Sequence, residues 1–333
     1  MTLPVETEQL YPKPSFVRLI ECMARRTEVN ALPGLVAMDA LSVLEDERRG
    51  TSVQLTDRYF QAQEMALAAA DGSEFVEHRL RIVRESREVW EDIHIDFPSL
   101  TTENLRTASD RFRDVLERLP EVQYLQRSYP EACFVVPEWM RIDGEVKYGA
   151  RVYFFRDDPP DSGDLIDRNI EATVQDDRDD FESYQGRLHD YPDCCIEFLR
   201  ESDRFDAEES LEARSLDALD SVVDEARVRE GSVTEAPIED LLPGFFESPH
   251  AYAFFAHGFY PEPGCETARK RGVRIYETLT DYLPEPIVRD YFRVNYGWSF
   301  LKAGPPPDAT TFGRAHCLSF LPLQVVLSLP RYR

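Results

Sequence analysis

The chain reads CFVVPEWMRIDGEVKYGARVYFF from Cys133 to Phe155, and this stretch decides the fold. Two runs rich in β-branched and aromatic residues flank Asp143-Gly144, a dipeptide that suits a tight hairpin turn. Pro137 lies inside the first run, and proline cannot donate a backbone hydrogen bond, so that strand should lie at a sheet edge or contain a bulge. We therefore predict an antiparallel β hairpin over residues 131–156.

Upstream of the hairpin, residues 1–130 show helical patterns. Phe112, Val115, Leu116 and Leu119 have the spacing of one apolar helix face, with Thr102 as a cap. Gly50 stands where the C-terminus of a helix would need a left-handed residue. We predict a helical N-terminal region over residues 1–130.

Downstream of the hairpin, the composition changes twice. Residues 157–180 are rich in aspartate and begin with a loop-forming run, which predicts an acidic linker. Residues 181–333 hold most of the cysteines and histidines and should form a helical domain. The predicted fold class is α+β, mainly α-helical, with a small antiparallel sheet near residues 132–155. Further strands or a helix must cover this hairpin, because an isolated hairpin is not stable.

The net charge of the chain indicates the environment in which the protein works. Its 333 residues carry a formal net charge of −25, and only four of the 38 basic residues are lysines. Such an acidic, lysine-poor surface is typical of a salt-adapted (halophilic) protein, because high salt screens the repulsion between like charges. The acidic surface also disfavours nucleic acid as a partner.

The segment 291–333 departs from this pattern, with five basic residues, one acid and an aromatic start. It could contact nucleic acid or another anion; alternatively, it is a buried C-terminal segment, which we favour. The chain shows no secretory leader and no apolar run long enough to span a membrane. We expect a cytoplasmic protein with reduced thiols that does not interact with a membrane.

Two cysteine-bearing runs stand out, Tyr191-Pro192-Asp193-Cys194-Cys195 and Pro261-Glu262-Pro263-Gly264-Cys265. Both have the proline and acidic residues of a helix start, so each should place thiols in the first turn of a helix. The helix dipole there lowers a thiol pKa. A histidine precedes each run, His189 in one case and His257 in the other. The spacing matches no standard zinc pattern.

These runs resemble a family. The segments from His189 to Phe198 and from Phe259 to Ala268 are similar to the archaeal domain of unknown function 483, whose signature is Tyr-Pro-x-Cys-Cys followed by a second cysteine element. Asp190 stands where that family usually has glycine, and Glu262 stands where its second element has a cysteine. The resemblance implies a place for the site and no particular activity.

Three functions compete for these residues. The first is a metal site, of zinc or iron, with ligands from Cys194, Cys195 and Cys265 and from a histidine among His189, His257 and His316; Glu262 would be a ligand or general base. The second is a thiol-dependent enzyme with Cys194 or Cys195 as nucleophile. The third is a non-enzymatic interaction or scaffold protein whose cysteines only fill the core. The chain lacks the phosphate-binding, dinucleotide-binding and serine-nucleophile motifs, which disfavours those chemistries.

Overall fold

A computed structural model describes residues 34–55, 99–118, 133–142, 145–202, 242 and 244–300, with isolated positions between 77 and 85. Within this part of the chain there are seven α-helices and three β-strands, which confirms the mainly helical α+β class. In chain order they are α1 (Gly34–Leu44), β1 (Gly50–Leu55), α2 (Thr102–Leu116), β2 (Cys133–Ile142), β3 (Glu145–Phe155), α3 (Ser162–Gln175), α4 (Asp179–Leu188), α5 (Asp193–Ser202), α6 (Glu266–Thr280) and α7 (Glu285–Phe300). Two short 3₁₀ helices, Phe245–Glu247 and Pro249–Ala253, precede α6.

The predicted hairpin is confirmed. Strands β2 and β3 pair antiparallel, and Ile142 lies opposite Glu145, so two residues connect the strands. The strand order is β1-β3-β2, which places Pro137 on an edge strand as its chemistry requires.

Strand β1 corrects the prediction that residues 1–130 are helical throughout. It pairs antiparallel with β3, from Gly50 opposite Phe155 to Leu55 opposite Ala150. Gly50 does not end a helix; it begins this strand. A Cβ atom at Gly50 would come within 2.4 Å of the Phe155 ring, so the place that this ring occupies needs a glycine at position 50.

Helices α2 and α3 cover the hairpin. In α2, Phe112, Val115 and Leu116 are buried as predicted; the cap is Thr101, one residue before the expected Thr102. Leu119 lies outside the described residues. On β2, the buried Trp139 receives a hydrogen bond at its carbonyl from Asn169 Nδ2 of α3 and donates its indole N–H to Ser109 Oγ of α2.

Helix α3 also shows that the acidic linker prediction is wrong for residues 162–175. The Asp161 side chain caps this helix by accepting from the backbone N–H groups of Gly163 and Asp164. Leu165, Ile166 and Ile170 are buried in the core. The acids of this segment therefore occupy the cap and the outer face of a packed helix, where their charge favours the helix N-terminus or contacts water.

Helix α7 and the segment before α6 form an aromatic core. Tyr291, Phe292 and Tyr296 of α7 are buried, which supports burial over nucleic-acid contact for the start of the 291–333 segment. Residues 301–333 lie outside the described part, and His316 and Cys317 are among them. None of the helices in the described ranges has the length and apolar character to cross a membrane.

Gly272 sets how closely α6 packs on the 3₁₀ helix Pro249–Ala253. A Cβ atom at this position would lie 1.6 Å from the Tyr252 carbonyl oxygen, and a backbone atom cannot move aside cheaply. Gly272→Ala is expected to lower the free energy of unfolding by about 3 kcal/mol, the upper end for overpacking. Urea unfolding would measure this, with Lys270→Ala on the exposed face of α6 as the control. Equal midpoints for the two variants would contradict the close contact.

Candidate metal centre

A sharp turn between α4 and α5 brings Cys194 and Cys195 into place. Asp190 in this turn has a left-handed backbone with φ of 59°. The Pro192 carbonyl accepts the N–H groups of Cys195 and Ile196 at 2.9 and 3.1 Å. The helix therefore begins at Asp193, one residue later than expected, and both cysteines lie in its first turn.

The third cysteine begins the other helix. Gly264 has φ of 80°, a backbone conformation that favours glycine, and it turns the chain into α6. Cys265 is the N-cap residue, and its sulfur accepts the N–H of Ala268 at 3.4 Å. A thiol therefore replaces the hydroxyl or carboxylate oxygen that usually caps a helix.

The two helix N-termini converge on one group of sulfur atoms. Cys194 Sγ lies 3.4 Å from Cys265 Sγ and 3.9 Å from Cys195 Sγ. All three sulfurs lie within 4.8 Å of one another. The backbone N–H of Glu262 donates to Cys195 Sγ at 3.3 Å. Three potential ligands thus meet at one point, and main-chain donors contact two of them.

The sulfur group can be compared with the size of a metal site. Zinc–sulfur bonds of about 2.3 Å in a tetrahedron place neighbouring sulfurs about 3.8 Å apart, close to the two distances found. In a four-iron cluster each thiolate binds a different iron, which spreads the sulfurs further apart. The arrangement therefore fits a single ion with three sulfur ligands and one further coordination position.

The predicted ligands His189 and His257 are not in this group, and His316 lies outside the described residues. His189 is 4% exposed and packs against the rings of Tyr153, Phe155 and Tyr191. Burial lowers the pKa of His189 well below its usual value, with a further contribution from two arginines. His257 is also buried and lies apart from the three sulfurs. Both side chains belong to the core around the site.

Glu262 lies beside the cysteines. Its carboxylate interacts with the Cys194 thiol, in addition to the bond from its main chain to Cys195. The carboxylate is not among the ligand atoms that lie within 4.8 Å of one another. Glu262 therefore borders the sulfur group on the side of Cys194.

Cys194 and Cys195 are protonated when no ion is bound. Burial raises the pKa of Cys194 to about 12, helped by Cys265 and Glu262. Burial also raises the pKa of Cys195. The expectation that the helix dipole lowers these pKa values is therefore wrong, because loss of water around the sulfurs outweighs the dipole. Neither Cys194 nor Cys195 is therefore a low-pKa nucleophile.

An ion pair that the sequence did not reveal joins the two halves of the site. Arg271 of α6 donates to the main-chain carbonyl of Asp190 and, at 2.8 Å, to its Oδ2 atom. Asp190 precedes Cys194 by four residues, and Arg271 follows Cys265 by six. This contact fixes the turn before α5 against α6.

Loss of this contact should weaken the metal site. Arg271→Ala is expected to lower zinc affinity by about tenfold, the smaller effect typical of residues that support ligands. The affinity would be measured by competition with a chromophoric chelator. Arg274→Ala on the same helix removes a pair with Glu47 and serves as the matched control. Unchanged affinity in Arg271→Ala would show that the ion pair does not position the ligands.

The comparisons with known proteins add no relative. No family model matches the chain, and no curated protein and no solved structure matches it. The resemblance of the two cysteine runs to domain of unknown function 483 stays a prediction.

Proposed function

We propose that this chain binds one zinc ion through Cys194, Cys195 and Cys265 and holds it with one open coordination position. One observation carries the proposal: three sulfurs from two separate helix N-termini lie within 4.8 Å of one another. Thiolates are soft ligands and favour zinc over magnesium or calcium. A fourth position left free by the protein is what distinguishes a reactive zinc site from a purely structural one.

The alternative that the cysteines only fill the core explains less. Cys133 shows what such a residue looks like, since it is 2% exposed within the sheet. Cys194, in contrast, is exposed and still lies 3.4 Å from a sulfur on another helix. Apolar packing gives no reason for an exposed thiol to meet two others.

The thiol-enzyme alternative lacks its activating groups. A cysteine nucleophile needs a lowered pKa or an adjacent base, and the pKa of Cys194 is raised to about 12. No histidine among the described residues belongs to the sulfur group. Bound zinc would supply what is missing, because it ionises the thiols by ligating them.

Glu262 is the residue that we assign to the open side of the ion. Its interaction with Cys194 supports this place. A carboxylate there can complete the zinc coordination or accept a proton from water bound to the ion. Protein in which cobalt replaces zinc distinguishes the two roles. If the Glu262 carboxylate is a ligand, Glu262→Gln should change the visible spectrum of the bound cobalt; if the carboxylate only accepts a proton, the spectrum should stay the same.

Elemental analysis tests the metal proposal directly. Protein purified in high salt without added metal should contain one zinc per chain, and Cys265→Ser should contain none while keeping its helical circular dichroism. Absence of zinc and iron from the unsubstituted protein, with no uptake on adding zinc, would overturn the proposal. A stoichiometric iron content with sulfide would show a cluster in place of zinc.

Zinc binding should release protons. The raised thiol pKa values mean that Cys194 and Cys195 are protonated at pH 7, and zinc must displace both protons. The logarithm of the affinity should therefore rise by at least two per pH unit near neutrality, and fall as the pH is lowered. Calorimetry in two buffers of different ionisation enthalpy counts these protons. Release of no proton would mean that the thiols are already ionised.

The surroundings of the protein belong to the same proposal. The net charge of −25 and the scarcity of lysine support a salt-adapted cytoplasm as its setting. Unfolding measured at rising potassium chloride concentration tests this, because a salt-adapted chain gains stability as repulsion is screened.

A further inference from the structure

We infer that oxidation controls this metal centre: Cys194 and Cys265 close a disulfide that takes two of the three ligands from the ion. The inference rests on the proposed function, since it describes how the same zinc site is emptied. It would make the chain a redox-sensitive zinc protein whose oxidant is a peroxide.

The geometry selects the pair. The Cys194 and Cys265 sulfurs lie 3.4 Å apart, closer than the 3.9 Å between those of Cys194 and Cys195. A disulfide between Cys194 and Cys195 would be strained, because neighbouring Cα atoms are about 3.8 Å apart and bridged cysteines prefer about 4.4–6.8 Å. The Cys195 sulfur also accepts the N–H of Glu262, and only 1% of the residue is exposed.

Exposure selects the sulfur that reacts first. Cys194 is exposed, whereas Cys195 and Cys265 are buried. The Cys194 sulfur can therefore meet a peroxide from solution, and Cys265 stands behind it as the resolving thiol. Ligation by zinc would keep the Cys194 sulfur as the thiolate that attacks peroxide, and an accessible thiolate next to a second cysteine is the arrangement of redox-sensing pairs.

The chemistry balances with hydrogen peroxide as the oxidant. The Cys194 sulfur attacks one peroxide oxygen, the O–O bond breaks, and the products are a sulfenic acid and water. The Cys265 sulfur then attacks the sulfenic sulfur, an S–S bond forms and a second water leaves. Two zinc-bound thiolates, one peroxide and two protons from water thus give one disulfide and two waters. Cys195 alone cannot hold the ion, which is released.

The Arg271–Asp190 contact keeps the pair together during this step. It joins the turn before α5 to α6 through side-chain and main-chain bonds. The two sulfurs therefore stay near each other after the ion leaves, and a dithiol reductant can restore the original site.

The test follows zinc and disulfide together in the full chain. Zinc-loaded protein is titrated with hydrogen peroxide, and a chromophoric chelator measures the zinc that is released. The protein is then digested with trypsin, and mass spectrometry gives the masses of the peptides. We expect one zinc released per disulfide formed, with peptides 188–200 and 230–269 joined through a reducible bond. In Cys194→Ser, treated with peroxide without zinc, the disulfide between the two peptides should not form. Cys195→Ser should bind zinc weakly and should still form the disulfide between the two peptides.

The outcomes separate this inference from the proposed function. If the disulfide between the two peptides forms but the chain takes up no zinc, the zinc proposal is refuted. The inference that oxidation controls a zinc site is then refuted as well. Two results would refute the redox inference and leave the zinc site standing. In one, the parent chain binds zinc and loses it to peroxide, but the two peptides are not joined. In the other, the peptides are joined equally well in Cys194→Ser. Retention of zinc at peroxide levels that oxidise a free zinc–thiolate peptide also refutes it.

Discussion

Zinc affinity should fall by roughly a hundredfold when Cys195 is replaced by serine. Structural zinc is bound with about 10–16 kcal/mol by four ligands, so one ligand is worth roughly 3 kcal/mol, and 1.4 kcal/mol corresponds to a factor of ten. Cys195 is the most informative of the three because only 1% of it is exposed. Solvent cannot easily supply a replacement ligand at a buried position.

A matched cysteine separates ligand loss from core damage. Cys133→Ser buries a hydroxyl in the sheet and should lower stability, yet its zinc content should stay at one per chain. Competition with a chelator gives the affinity of each variant, and thermal unfolding with and without zinc gives the stabilisation by the ion. Equal zinc affinity in Cys195→Ser and the parent chain would remove Cys195 from the ligand set.

Arg48→Met should lower the free energy of unfolding by about 3–5 kcal/mol, because it leaves a buried carboxylate without its partner. Arg48 and Asp39 are both buried, and their side chains form an ion pair. Asp39 also accepts a hydrogen bond from Thr51 at 2.8 Å, and Arg48 donates to Ser42 at 2.9 Å. This network joins α1 to β1.

The loss should depend on pH with a defined sign. Burial already raises the pKa of Asp39, against the lowering effect of Arg48. Without Arg48 the folded-state pKa rises further above the unfolded value near 3.8, so the folded variant is favoured when Asp39 is protonated. Its stability relative to the parent should therefore decrease as the pH rises through the folded-state pKa.

Two comparison variants make the Arg48 result specific. Arg106→Met breaks an exposed ion pair with Asp167, which water screens, and should leave the free energy of unfolding nearly unchanged. Combining Arg48→Met with Asp39→Asn removes both charges and should recover part of the loss. Urea unfolding at several pH values measures all of them. A cost for Arg48→Met as small as for Arg106→Met would mean that water reaches the buried pair.

The fold was predictable where local chemistry and packing agree. Asp143-Gly144 between two β-rich runs predicted the hairpin, and Pro137 predicted an edge strand. Strand β1 was missed because six residues are too few to show an alternating pattern, and its partner lies about a hundred residues away. The helix α3 was missed because its acids suggested a solvated linker, whereas four apolar residues on its other face are buried.

The sequence predicted the position of the candidate site but not the surroundings of its side chains. Prolines and acidic residues indicated both helix starts, and these starts do converge on Cys194, Cys195 and Cys265. The sequence could not show that His189 and His257 face the core, since burial depends on the tertiary fold. The raised pKa of Cys194 has the same origin. The Arg271–Asp190 pair joins residues 81 positions apart, and no local pattern announces it.

The separation of the cysteines along the chain has a consequence for biosynthesis. Cys194 and Cys265 are 71 residues apart. At ribosomal rates of about 5–20 residues per second, roughly 4–14 s pass between the appearance of the first two thiols and that of the third. During this interval the site can offer an ion only its vicinal pair, Cys194 and Cys195. The complete three-thiolate ligand set therefore becomes available only once translation has passed Cys265 and α6 can dock.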